Sequence, residues 1–92
     1  MCLIDFYYKI PNNIVDAIQT ARTWALESDD YLAPYAITYI DHIGLNMEEA
    51  VQMGMSAESG LKHQLLYVLS NLENWKGKEA TRVKTILEDF SS

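Results

Sequence analysis

The sequence predicts an all-α fold, a compact bundle of about four to five short amphipathic helices. In successive segments, apolar residues recur at spacings of three and four, which places them on one face of a helix. Glycine, proline or short polar runs separate these segments. The chain has 92 residues, enough for one domain, and a hydrophobic fraction of 49%, which argues against disorder. We therefore expect a single helical domain over residues 1–92.

The first two segments of the chain are an apolar arm and a helix. Residues 1–11 are expected to form a short helix or an irregular arm packed on the bundle, because they are too apolar for a free tail. The first core helix is predicted over about 13–28, with Asn12 or Asn13 as its N-cap. Its apolar face is formed by Ile14, Ile18, Ala21 and Ala25.

The second core helix is predicted over about 31–43. Asp29 or Asp30 can cap its start, and Pro34 is tolerated because it falls in the first turn. Gly44 is expected to end this helix as a C′ residue with positive φ. Its apolar face is formed by Leu32, Ala36, Tyr39 and Ile43.

A third helix over about 47–54 is predicted to follow at once. Asn46 and Glu49 have the spacing of a capping box at its start. A break or kink is expected around 54–57, with Ser56 as the cap of the next segment. Whether this helix is continuous with the next one is left open by the sequence.

The last two helices are predicted over about 57–76 and 78–90, separated by Gly77 as a C′ glycine. Short connections favour antiparallel neighbours in a bundle. The apolar stripe of the first of these helices is Leu61, Leu65, Val68, Leu72 and Trp75. That of the second is Ala80, Val83, Leu87 and Phe90.

The residue types that carry catalysis or bind metals are few and scattered. His42 and His63 lack the spacing of a zinc site, and Cys2 has no second cysteine for a disulfide. No nucleophile motif or glycine-rich phosphate loop is present in the sequence. We therefore expect no catalytic, cofactor-binding or metal-binding residues, and no enzyme activity.

The charge opposes binding to nucleic acid. The formal net charge is −6, and the carboxylates are concentrated in residues 1–61, whereas residues 62–92 are slightly basic. The turn of a helix-turn-helix would fall on Ala50 and Gly54, but its core positions would then be Gly60 and His63, which are poor core residues. The alternative function, a nucleic-acid-binding regulator, would use a local basic patch. That patch is Lys76, Lys78, Arg82 and Lys84.

Aromatic residues indicate a protein interface instead. Tyr and Trp are enriched at interfaces because they bury a large area and keep a polar tip, and Met suits adaptable contacts. Tyr31, Tyr35 and Tyr39 recur every four residues along one side of the second helix, and Tyr39 is expected in the core. The candidate interaction residues are Tyr7, Tyr8, Tyr31, Tyr35, Met53 and Met55.

The last third of the chain, with the stretches YVLSNL from Tyr67 and WKGKEA from Trp75, resembles small helical proteins of unassigned function encoded by phages and prophages. The resemblance implies a phage or mobile-element origin and no known activity. Together with the charge and the aromatics, it leads us to expect a small, soluble, acidic module in the cytoplasm. The module would bind a protein partner or itself as a homodimer, with nucleic acid unlikely and no membrane contact.

Overall fold

Five α-helices make up the fold in the computed structural model, which describes residues 10–92. They are α1 (Asn12–Glu27), α2 (Ala33–Asp41), α3 (Ile43–Gln52), α4 (Ala57–Ser70) and α5 (Lys78–Ser91). No residue of this described range lies in a β-strand, so the predicted all-α bundle is confirmed. The conformation predicted for the arm concerns residues that, except for Ile10 and Pro11, lie outside the described range.

The apolar stripes of all five helices meet in one core. α4 lies at its centre, because α4 packs against α2, α3 and α5, whereas α1 packs against α2 and α5. All five helices and the segment between α4 and α5 contribute large, completely buried side chains, each of which stabilises the fold by about 1.5–3 kcal/mol. These include Leu65, Val68, Leu72, Val83 and Leu87.

The junction between α2 and α3 differs from the prediction. α2 ends at Asp41 and α3 begins at Ile43, so Gly44 lies within α3 and does not act as a C′ residue with positive φ. The chain instead turns at His42 alone, whose backbone N–H donates to the Thr38 carbonyl at 3.2 Å. Glycine was not required at this turn, because His42 makes it at φ −95°.

Two predicted helix caps are also wrong. Pro11, not an asparagine, occupies the N-cap position of α1, and no side chain caps that helix. Asn46, predicted as the cap of the third helix, lies in the first turns of α3. Its side chain donates to Gln64 instead of to the backbone. Asp30 does accept a hydrogen bond, from the Leu32 N–H at 3.1 Å, but in the loop before α2.

The ends of α4 and α5 meet in an irregular segment. α4 stops at Ser70 rather than near residue 76, and turns follow it over residues 71–74. Trp75 is nevertheless buried, so the apolar stripe continues past the end of the helix. Gly77 has a φ of 112°, in the region that favours glycine, but it precedes α5 rather than closing α4.

The break between α3 and α4 falls where the sequence predicts it. Gly54, with a φ of 86°, turns the chain after α3. Ser56 then caps α4, because its Oγ accepts a hydrogen bond from the Ser59 N–H at 3.0 Å. The two helices therefore form a hairpin with a short connection.

Ser56→Ala should lower the free energy of unfolding by about 1 kcal/mol, because it leaves the Ser59 N–H without its acceptor. Urea denaturation followed by circular dichroism measures this change. Ser59→Ala serves as the matched control, since the hydroxyl of Ser59 does not cap α4. Equal stability of the Ser56 variant and the wild type would contradict the assigned cap.

Candidate protein-interaction surface

The interaction residues predicted from the sequence are exposed wherever the structure describes them. Tyr7 and Tyr8 lie outside the described residues. Tyr31 and Tyr35 are 72% and 59% exposed, and Met53 and Met55 are 74% and 48% exposed. All four side chains are therefore accessible to a partner in the described structure.

The tyrosines and the methionines lie at opposite ends of α4. Tyr31 follows Asp30, whose Oδ1 accepts a hydrogen bond from Asn74 Nδ2 at 3.0 Å, just beyond the end of α4. Met53 follows α3, whose Ala50 packs against Gly60 in the first turn of α4. The 14 residues of α4 span about 20 Å. The predicted residues therefore form two separate groups.

The tyrosine group continues from α2 onto α4. The rings of Tyr39 and Tyr67 are stacked, with centroids 5.4 Å apart and planes 17° from parallel. Tyr67 is 47% exposed, and the His63 ring is tilted against it at 5.6 Å. The sequence predicts Tyr31 within the second helix, but α2 begins at Ala33 and Tyr31 lies in the turn before it. We call the set of Tyr31, Tyr35, Tyr39 and Tyr67 the tyrosine face.

Sequence reasoning did not select Tyr67 or His63 for this surface. Tyr67 lies beside Tyr39 because α2 packs against α4. The residue pattern of α4 alone does not indicate which helix packs against it. The only available signal was the exposed position of Tyr67 on the polar side of a strongly apolar stripe. Tyr39 itself is half-buried and packs against the core, in line with its expected structural role.

A buried glutamine fixes α2 and α3 to α4. Gln64 is only 4% exposed, and its Nε2 donates to the Tyr39 carbonyl at 2.8 Å. Its Oε1 accepts from Asn46 Nδ2 at 2.7 Å. The carbonyl of Tyr39 lies in the last turn of α2, where helix carbonyls have no partner within the helix. Gln64 thus supplies a hydrogen-bond donor to a carbonyl near the end of α2.

An ion pair joins Asp41, the last residue of α2, to α1. Arg22 Nε lies 2.8 Å from Asp41 Oδ1, and Arg22 Nη2 lies 3.1 Å from Asp41 Oδ2. Both side chains are more than a third exposed, so solvent screens the pair and its contribution to stability is small. Its bidentate geometry fixes how the two side chains are oriented relative to each other.

Two cations of the predicted basic patch bind other groups of the chain. Lys84 Nζ donates to the Trp75 carbonyl at 2.6 Å, and Arg82 Nη2 lies 3.5 Å from Glu79 Oε2. Burial lowers the pKa of Lys84, and the charge of Lys76 lowers it further, whereas Glu88 and Glu73 raise it. Lys84 therefore holds the segment before α5, whose Trp75 ring stacks on Trp24 at 5.1 Å.

Gly60 and His63, the two core positions that a helix-turn-helix would require, differ in burial. Gly60, expected to be a poor core residue, is buried at the point where α4 approaches Ala50, so that expectation was wrong. His63 is exposed. Lys62, the cation of the would-be reading helix, lies 3.2 Å from Glu58 of the same helix. The outer face of α4 thus offers little positive charge to a phosphate backbone.

The described residues offer no assembled metal site. Within residues 10–92, no three His, Cys, Asp or Glu side chains are grouped closely enough to hold an ion. The ring of His63 is tilted against that of Tyr67, with the centroids 5.6 Å apart. Over the same range, no helix combines the length and the apolar character needed to cross a bilayer.

Comparison with known proteins found no relative. No protein-family model matches the chain, no curated protein matches it, and no solved structure matches it. The resemblance of the last third of the chain to phage-encoded proteins therefore stays a prediction.

Proposed function

We propose that this chain is a protein-interaction module that binds a protein partner through the tyrosine face. The observation that supports the proposal is the stacking of Tyr39 on Tyr67, which brings the exposed Tyr67 of α4 beside α2. Tyr35 on α2 and Tyr31 just before it are exposed as well. Tyrosine is enriched among the residues that dominate binding energy, because a rigid ring buries much area at a low entropic cost. The phage or mobile-element origin belongs to the same proposal.

The support under the face also favours this role. Gln64 holds the carbonyl of Tyr39, and the Asp30–Asn74 hydrogen bond holds the loop that carries Tyr31. A surface held in this way loses little freedom when a partner binds, which favours affinity. The alternative of nucleic-acid binding has less support, because Arg82 and Lys84 are both engaged within the chain.

Affinity capture with paired variants tests the proposal. Tyr31→Ser with Tyr35→Ser removes two exposed rings, whereas Met53→Ser with Met55→Ser removes two exposed side chains at the other end of α4. We expect the tyrosine variant to lose a protein that the wild type captures from a lysate of its source cells. The methionine variant should retain that protein at the wild-type level.

Circular dichroism and light scattering provide the controls. Both double variants should keep the helical spectrum of the wild type, since all four side chains are exposed. Capture of the same proteins by the tyrosine variant would contradict the proposal. So would a homodimer that the tyrosine substitutions dissociate, because the face would then bind a second copy of the chain.

A further inference from the structure

We infer that α2 and α3 can join into one continuous helix over residues 33–52, and that the chain then exchanges its α1–α2 half with a second copy. In the resulting dimer, α1 and α2 of each copy would pack on α3, α4 and α5 of the other. The inference goes beyond the proposed function and does not depend on it. It depends on three features of the junction at His42, namely the spacing of the buried residues, the backbone of the turn and the position of Gln64.

The buried residues of α2 and α3 keep the phase of a single helix. They recur at spacings of three, four, three, four and three, and the spacing does not shift at the junction. Two unrelated helices have no reason to share one phase in this way. The pattern therefore encodes one amphipathic helix over residues 33–52, about 30 Å long when straight. The buried residues are Ala33, Ala36, Ile40, Ile43, Met47 and Ala50.

The backbone departs from this helix at a single residue. His42, between α2 and α3, has a φ of −95° and a ψ of 4°, compared with about −63° and −42° in an α-helix. Helical hydrogen bonds nevertheless cross the junction, since the His42 N–H donates to the Thr38 carbonyl at 3.2 Å and the Asn46 N–H donates to the His42 carbonyl at 2.9 Å. A change concentrated at one residue therefore separates the kinked form from the straight one.

Gln64 of α4 holds the kink. In a continuous helix, the carbonyl of Tyr39 accepts a hydrogen bond from the N–H of Ile43, four residues later. In this fold, Gln64 Nε2 donates to that carbonyl at 2.8 Å, and Asn46 of α3 donates to Gln64 Oε1 at 2.7 Å. A side chain inserted at such a point of the hydrogen-bond ladder is a known cause of a sharp kink. Loss of Gln64 would therefore favour the straight helix.

A second copy of the chain is the partner that the straight form requires. Straightening separates α2 from α4 and α1 from α5, which pack together within one chain. Core side chains of both halves would then meet water, among them Ile14 and Ile40 of one half and Leu65 and Leu87 of the other. A second copy offers the same surfaces, so the exchange recovers this burial. Short hinges favour such an exchange between identical chains.

Refolding at two protein concentrations tests the inference. The full chain and its variants are refolded from urea at about 10 µM and about 1 mM, and light scattering after size-exclusion chromatography gives the dimer fraction. Gln64→Leu removes the side chain that holds the kink. At the higher concentration, its dimer fraction should exceed that of the wild type at least about fivefold.

His42→Ala tests the hinge without a change in the core. His42 is exposed, and its Nδ1 lies 2.7 Å from the Thr38 carbonyl oxygen in the kinked form. Alanine removes this contact and has the highest helix propensity, so this variant should also raise the dimer fraction above that of the wild type.

Insertion of two glycines after position 42 should have the opposite effect. The insertion lengthens an exposed turn, which the kinked monomer tolerates, but it shifts the phase of the buried residues and weakens a continuous helix. Added to either substitution, it should lower the dimer fraction at least about fivefold.

Tyrosine cross-linking shows whether the halves have exchanged. Tyr39 lies on α2 and Tyr67 on α4, and their stacked rings, with centroids 5.4 Å apart, suit oxidative coupling to dityrosine. In an exchanged dimer this bond joins two chains and gives a covalent dimer on a denaturing gel, whereas in the monomer it stays within one chain. Tyr67→Phe should remove the covalent dimer and leave the other tyrosines in place.

Three results would each overturn the inference. They are monomers of both substituted variants at the higher concentration, a dimer fraction that the glycine insertion does not lower, and a dimer that Tyr39 and Tyr67 do not cross-link. Tyr31→Ser with Tyr35→Ser should leave the dimer fraction unchanged, because both side chains are exposed in the monomer. A dimer that these substitutions dissociate would be held by the tyrosine face and would also contradict the exchange. The capture experiment decides the proposed function separately.

Discussion

Gly60→Val should lower the free energy of unfolding by about 3 kcal/mol or more, the largest effect expected for any substitution considered for this chain. A Cβ at position 60 would lie 2.9 Å from the Ala50 Cβ, 3.0 Å from the Asn46 carbonyl oxygen and 3.1 Å from the Met47 Cα. Two of these three atoms belong to the backbone of α3, which cannot give way without moving the helix. The branched side chain adds more atoms to the same confined space.

Gly60→Ala shows which of two opposing effects is larger. Alanine gains about 1 kcal/mol over glycine in a helix interior, whereas overpacking a tight contact costs about 1–3 kcal/mol. We expect the cost of overpacking to exceed the gain in helix propensity, because the Cβ of alanine already makes all three close approaches to α3. Urea denaturation of both variants should therefore give the order wild type, Gly60→Ala, Gly60→Val, from most to least stable.

The control for this series is Ser59→Ala, next to Gly60 on the exposed side of α4. It changes helix propensity without a contact to α3, so its stability should equal or slightly exceed that of the wild type. Stabilisation by Gly60→Ala would contradict the close packing of α3 on α4.

Gln64→Leu should lower the free energy of unfolding by about 2–3 kcal/mol, although leucine has a similar size and is more apolar. The substitution leaves two groups without their present partners, the carbonyl of Tyr39 and the side-chain amide of Asn46. Both hydrogen bonds are partly buried, so water replaces them incompletely. Urea denaturation measures the loss, and unchanged stability would exclude Gln64 as the link between α2 and α3.

Gln64→Glu gives the same hydrogen bonds a pH signature. A protonated carboxyl group can donate to the Tyr39 carbonyl and accept from Asn46, as the amide does now. Burial raises the pKa of such a carboxyl group above its ordinary value of about 4.3. The folded chain then binds more protons than the unfolded one just above that value, so stability is lost as the pH rises.

The measurement compares Gln64→Glu with the wild type by urea denaturation at two pH values. The stability difference should be small near pH 4 and should increase towards pH 7, about the range in which the carboxyl group ionises. A difference that is the same at both pH values would show that the carboxyl group does not occupy the site of the amide.

The parts of the fold that follow from local patterns were predictable. Leu61, Leu65 and Val68 recur at helical spacing and are buried, because a helix with a strongly apolar face must turn that face towards the core. The break at Gly54 and the cap at Ser56 depend on residues within one turn of each other. For such features the sequence contains the whole physical cause.

Gly60 and Gln64 show what local patterns omit. Gly60 was expected to be a poor core residue, whereas its missing side chain lets α3 approach α4. Gln64 interrupts an apolar stripe, and its role depends on the end of α2 being nearby. Gly44 was misplaced for a related reason, since the turn before it is made by His42. In each case the deciding neighbour belongs to another helix or to an unexpected helix end.

The candidate surface was predicted in part. Tyr31 and Tyr35 were selected as candidate interaction residues because tyrosine is enriched at interfaces, and both are exposed. The pattern could not show that Met53 and Met55 lie at the other end of α4, or that Tyr67 joins the tyrosines. Distances between helices depend on tertiary packing, which spacing along one helix does not encode.

Hydroxyl-radical footprinting of the chain, alone and with its captured partner, tests the central claim most directly, because radicals oxidise exposed tyrosine and methionine side chains in one experiment. We expect oxidation of Tyr31, Tyr35 and Tyr67 to fall in the complex, while oxidation of Met53 and Met55 stays constant. Protection of the methionines with unchanged tyrosine oxidation would show that the partner binds at the other end of α4, and the proposed function of the tyrosine face would be wrong.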